Sequence, residues 1–192
     1  LKQLGPAGYI FEEFTARLYE SLGYDVRLRM RPEGKCVSHE IDVVASKGAE
    51  KLMIECKFHN QPGMRCRIQT GLYVYARFLD LAASKAKKKF TKPCLVTNTK
   101  FSGDVISYAE CMKMPLLGWK YPLKGSLEYL IDKNNCYPIS VINMKHKTLH
   151  KLLKQNILLL SDLPESAGKL ASMSGISKTT ARRIVEEASY AK

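Results

Sequence analysis

The chain has 192 residues, 45% hydrophobic and 26% charged, a globular balance that excludes disordered, collagenous and fibrous classes. Its 31 Lys and Arg outweigh 18 Asp and Glu by +13, and the excess is spread over folded-looking sequence rather than gathered in a tail, so nucleic acid is the leading partner. The six cysteines form no C-x-x-C, and there is neither a membrane-span-length apolar run nor a signal-peptide core, so a cytoplasmic protein with reduced thiols and no membrane partner is expected.

Helical periodicity covers 8–22, with Phe11, Phe14, Leu18 and Leu22 apolar and Gly23 as the stop. Strands are predicted over 24–30, 37–45 and 51–58, the last two joined by Lys47-Gly48-Ala49-Glu50, which makes a three-stranded meander. A helix follows over 65–86, where Leu72, Ala76, Leu79 and Ala83 recur at helical spacing, and a lysine run ends it at 85–89. A strand at 92–97, a helix at 103–112 and a strand at 114–119 complete a mixed sheet flanked by helices, an α/β architecture. After Pro122-Leu123-Lys124-Gly125 the pattern becomes short helices at 127–133, 147–155, 164–173 and 178–191, with one brief strand candidate at 139–142. The expected division is therefore 1–125, mixed α/β, and 126–192, small and all-helical.

The chemistry concentrates on the meander. Residues two apart in a strand share a face, so Glu40 and Asp42 point one way, and Glu55, Lys57 and His59 point together on the next strand. Antiparallel neighbours then bring Asp42 beside Glu55 and Lys57. Two carboxylates can hold Mg²⁺ while it keeps part of its water shell, and an ammonium can orient an attacking water and stabilise charge added to a phosphate.

These residues resemble the PD-(D/E)XK nuclease superfamily, and more closely the Mrr-like restriction endonucleases. The resemblance is carried by Phe11-Glu12-Glu13-Phe14 with Leu22-Gly23-Tyr24, Glu40-Ile41-Asp42, Ile54-Glu55-Cys56-Lys57 and Gln69-Thr70-Gly71-Leu72-Tyr73. It implies a restriction-endonuclease-like fold and Mg²⁺-dependent DNA cleavage, with Mn²⁺ able to substitute. It also implies Asp42, Glu55, Lys57 and Gln69 as catalytic residues, Asp42, Glu55 and Glu12 as metal ligands, and Tyr73 beside Gln69 on one helical face. Val37-Ser38-His39-Glu40 replaces the usual Gly-rich or Pro segment before the catalytic Asp, which leaves His39 and Glu40 without assigned roles. Relatives of this kind often carry a nucleotide-binding domain upstream, and a chain beginning at Leu1 rather than Met fits a longer protein. A homodimer is the expected state.

Two further segments are candidate DNA contacts. The lysine run offers Lys87 and Lys88 as phosphate contacts flanking the cleft, against the alternative of a solvated helix end. The stretch 170–185 resembles half of a helix-hairpin-helix, with a Gly175-Ile176 turn and Lys178 and Arg182 at the start of the second helix, where backbone N–H groups can meet a phosphate.

Overall fold

The computed structural model describes residues 8–61, 63–87 and 89–190. Lys88 of the lysine run lies outside the described residues. Two compact units part between Leu130 and Ile131.

The first unit begins with helix α1 (Gly8–Ser21), which buries Phe11, Phe14 and Leu18. Strands β1 (Asp25–Met30), β2 (Ile41–Lys47) and β3 (Glu50–Lys57) follow as an antiparallel meander. Gly48, at φ +59, supplies the left-handed backbone that a two-residue connection needs, and the β2–β3 pairing runs from Lys47–Glu50 to Val43–Ile54. A short strand β4 (Arg65–Cys66) leads to α2 (Ile68–Ala82), then β5 (Lys92–Thr97), β6 (Lys100–Phe101), α3 (Gly103–Cys111) and β7 (Leu116–Leu117). The main sheet has the order β1-β2-β3-β5-β7, with β3, β5 and β7 parallel, and β4 pairs with β6 in a separate two-stranded ladder. This is the mixed α/β sheet flanked by helices that the pattern implied.

Alternation decides what each face buries. Val43, Ala45, Leu52 and Ile54 share one face of β2 and β3 and are 5% exposed or less. The opposite face presents Val44 and Met53, which join Leu95 in a core with Val74 and Leu81 of α2 and Val105 and Ala109 of α3. Helices close on both sides, which is why β5 is buried along almost its whole length. β1, in contrast, is a half-exposed edge.

Helix α2 is rotated away from the face that its apolar spacing suggests. Leu72 and Leu79 are 47% and 53% exposed, whereas Gly71, Val74, Arg77 and Leu81 are buried. Gly71 is the reason: a Cβ there would stand 2.7 Å from Val105 Cγ2, so only glycine lets α2 approach α3 on that side.

The second unit takes in the end of α4 (Leu127–Lys133), then α5 (His146–Leu153), α6 (Ala167–Ser174) and α7 (Lys178–Tyr190). Its core joins Ile139, Leu152, Leu160, Leu170 and Ile184. The brief strand expected at 139–142 is instead a single 3₁₀ turn, Ile139–Val141, because its amides bond locally, Val141 N–H to Pro138 O and Ile142 N–H to Ile139 O. No helix among the described residues is long and apolar enough to cross a membrane.

Candidate active site

Asp42, Glu55 and Lys57 have the same parity as Val44 and Met53, so they continue the face that α2 covers. The registered β2–β3 pairs stop at Val43–Ile54, and one step further the Cys56 N–H donates to Asp42 Oδ2 at 2.7 Å. A side chain has taken over the ladder there, which satisfies the backbone donor and fixes the carboxylate. Glu55 is held from the other side: Arg77 Nη1 of α2 donates to Glu55 Oε2 at 2.6 Å, with the two side chains 8% and 13% exposed. The Arg77 guanidinium in turn lies over the Tyr73 ring, 5.1 Å from its centroid. Gln69, Tyr73 and Arg77 therefore form one row along α2 at successive turns.

The electrostatics of this corner are those of crowded negative charge. Asp42 is pushed up to about 7, first by burial and then by the Glu55 charge; the Cys56 N–H opposes the rise, Glu12 adds to it and Arg77 lowers it. Glu12 and Glu13 share Arg29, whose Nε donates to Glu12 at 2.9 Å and whose Nη2 donates to Glu13 at 3.0 Å. Of that pair, Glu12 is the one whose charge acts on Asp42. Burial and Asp42 push the Cys56 thiol well above its usual range, so it is a neutral thiol and no nucleophile.

Among the described residues no group of three or more His, Cys, Asp and Glu is gathered as a metal cage. The donor set is two carboxylates. Each has one oxygen engaged by a protein N–H, Asp42 Oδ2 and Glu55 Oε2, which leaves the other oxygen of each as a donor. That set fits a hard divalent ion that keeps most of its own water, as Mg²⁺ does. Burial first, and then the Glu55 charge, raise Asp42; a dication would offset the second of these.

Lys57 stands exposed at the end of β3, its carbonyl accepting from Thr97 Oγ1 at 2.7 Å. His59 is clamped through its backbone by Asn98, and its Nε2 is buried without a partner among the described residues; burial, and then Lys57, lower its pKa. Gln69 and Tyr73 are exposed, as is Lys87.

The segment before Asp42 has a structural use that the sequence left open. His39 Nε2 meets Asp80 Oδ2 of α2 at 2.8 Å, and the Cys36 N–H donates to Asp80 Oδ1 at 2.9 Å. Asp80 is thereby held at about 2, chiefly by His39, and the loop entering β2 is fastened to α2. Glu40 lies out on the surface, paired with Arg31 at 2.9 Å. Arg77 and Asp80 are thus structural neighbours of this corner that the sequence reading missed. The available signal was spacing: Arg77 continues the Gln69–Tyr73 row by one more turn.

In the second unit Gly175 ends α6 at φ +62, and Lys151 Nζ donates to its carbonyl. Ser177 Oγ accepts from the Thr180 N–H at 3.1 Å and so caps α7. Lys178 and Arg182 are exposed on the first turns of α7.

A mixed sheet that carries an Asp on one strand and Glu-x-Lys on the next, covered by a helix that reaches into the same corner, defines a restriction-endonuclease-like domain. The restriction endonuclease family model of the Mrr catalytic type matches residues 6–117, and the chain belongs to that family. A second model, AF1548-like, C-terminal, matches residues 137–190. An uncharacterized protein of Archaeoglobus fulgidus is 37% identical over 173 residues, which is 90% of this chain and 97% of the relative. The crystal structure of AF1548, a protein of unknown function, is similar with a TM-score of 0.79 and 36% identity, covering 95% of this chain and 97% of that one.

Proposed function

We propose that the protein is a metal-dependent endonuclease that hydrolyses DNA phosphodiester bonds. The observation that carries this reading is the half-buried pair Asp42 and Glu55, each with one oxygen held by a protein N–H, with Lys57 on the same strand face as Glu55. Asp42 Oδ1 and Glu55 Oε1 are the atoms that would hold the ion, Mg²⁺ by its preference for oxygen and water ligands, with Mn²⁺ as a substitute. When bound, the ion acidifies a water and neutralises charge developing on the phosphate. The Lys57 ammonium orients the attacking water and stabilises the added negative charge. Glu12 supports the metal site through the charge it adds beside Asp42, and Gln69 and Tyr73 line the cleft on the exposed side of α2, where the substrate backbone passes.

The division of labour follows the two units. The sheet unit cuts, and the helical unit adds affinity through the N-terminal turn of α7, where Gly175 shapes the approach and Lys178 and Arg182 supply charge for phosphates. Lys87 is a flanking contact of the same kind. Two such sites would cut the two strands of a duplex in one encounter, and a homodimer is the form that supplies them.

The rival reading is a silent DNA-binding module, and the Arg77–Glu55 ion pair is the observation in its favour, because it neutralises a carboxylate that the chemistry needs. Incubating the protein with plasmid, linear and branched DNA in Mg²⁺, Mn²⁺ or EDTA separates the two. Nicking or linearisation that EDTA stops and Asp42→Asn abolishes is the expected result; DNA retention without a cut in any metal would refute the nuclease.

A further inference from the structure

Two-carboxylate chemistry does not call for a guanidinium lying on one of the carboxylates, yet Arg77 is there. The contact is a charge-assisted hydrogen bond of 2.6 Å between two nearly buried groups, and arginine cannot shed its charge to escape an approaching cation. A fixed positive charge on Glu55 repels a divalent ion arriving at the same corner and also occupies Oε2. The ion and the guanidinium therefore contend for one carboxylate.

The Tyr73 ring helps to hold the guanidinium where it is, beside the exposed side of α2. Tyr73, one turn earlier on α2, is 57% exposed and offers its ring face to the Arg77 guanidinium at 5.1 Å. A rotation of the Arg77 side chain off Glu55 and past that ring would bring the charge to the side of α2 where Tyr73 and Gln69 are exposed. A phosphodiester is the ligand that a guanidinium in that place would bind, through the paired N–H geometry that also suits a carboxylate.

We propose that Arg77 is a resident counter-ion of Glu55 that competes with the divalent cation, and that a DNA phosphate draws it away so that metal and substrate enter together. The inference rests on the nuclease reading above. It makes the coupling reciprocal: DNA tightens the metal by the same factor as metal tightens DNA. The site is thereby kept from filling with metal until substrate is present.

The test is metal binding without catalysis. Mn²⁺ is titrated calorimetrically into the metal-free full chain at pH 8.5, above the Asp42 titration at about 7, so that no proton competes. The wild type should bind weakly, Arg77→Met about tenfold or more tightly, and Asp42→Asn not at all. Tyr73→Ala, at an exposed position, strips the ring from the guanidinium and should tighten Mn²⁺ by a smaller factor; it carries the test if Arg77→Met does not fold. With Ca²⁺ as the ion, added duplex DNA should tighten metal binding more in the wild type than in Arg77→Met. If wild type binds, Asp42→Asn does not, and neither Arg77→Met nor Tyr73→Ala is tighter, the counter-ion role is overturned and the nuclease reading stands. If neither the wild type nor Arg77→Met binds Mn²⁺, or if Asp42→Asn binds as well as the wild type, the metal site fails and the inference fails with it.

Discussion

Asp42→Asn should stabilise the protein while destroying its activity. Moving a carboxyl from 3.8 to about 7 disfavours the ionised form by about 4 kcal/mol if no solvent reaches it. Asp42 is only half-buried, so solvent screening reduces this to ~1–2 kcal/mol at neutral pH, or roughly 3–8 °C in Tm. Asparagine is isosteric and can still accept the Cys56 N–H. The sign follows from the direction of the shift. Between about 4 and 7 the unfolded chain has released its Asp42 proton and the folded chain has not, so this group costs the wild type stability as pH rises through that window, and the cost is constant above it. The advantage of the Asp42→Asn variant should therefore be smallest near pH 4 and full above about pH 7. Thermal melts in EDTA across this range give the measurement. Adding Mg²⁺ in large excess over its weak affinity should raise the wild-type Tm by mass action and leave the variant unmoved. Melting temperatures of the two proteins that stay parallel from pH 4 to 9 would refute the claim that Asp42 is crowded by burial and by Glu55.

Glu55→Ala and Lys57→Ala should each abolish cleavage while holding DNA affinity within a few-fold, because they remove metal coordination or charge stabilisation and leave the other phosphate contacts in place; equal loss of binding and cleavage in the Lys57 variant would make it an ordinary phosphate contact. Asp80→Asn should free the loop entering β2, seen as faster hydrogen exchange at the Cys36 and Val37 amides that its carboxylate holds. Since Asp80 is held down to about 2, the protection in the wild type should be present above about pH 4 and fade as pH falls towards 2. Replacing Lys178 and Arg182 by Ala should weaken DNA binding and flatten the slope of log K against log salt by about 0.9 for each phosphate no longer neutralised; an unchanged slope would remove α7 from the interface.

Strand alternation made much of the site readable. Once 51–58 is a strand that turns back on 37–45, the parity of Asp42, Glu55 and Lys57 follows, and the structure keeps that parity. What alternation does not reveal is which polar face remains open to solvent. The face of Asp42 and Glu55 also carries Val44 and Met53 and is roofed by α2, so these carboxylates are half-buried rather than solvated. Arg77 escaped because an arginine in the middle of a helix reads as a solvent-facing residue, and because Leu72, Ala76, Leu79 and Ala83 advertise a different apolar face. The deciding contact, Gly71 against Val105 of α3, is long-range, and no local pattern encodes it. β2 begins four residues later than the apolar pattern suggests for a similar reason: His39 and its neighbours are claimed by Asp80, more than forty positions away.

The tight Lys47–Glu50 turn ties the register of β2 to that of β3 through a run of directly opposed residues. Adding or deleting a single residue between Asp42 and Lys47 would exchange the two faces of β2. A deletion would put Asp42 in the place of Val43, on the opposite face from Glu55, and an insertion would put Val43 in the place of Asp42, beside Glu55. The reactive corner and the hydrophobic core are thus written in the same reading frame of side-chain direction. Such a sheet can change its chemistry by substitution at fixed positions, whereas changes of length in β2 would cost folding and activity in one step and are expected to be tolerated only in the loop before Ile41 or beyond Lys57.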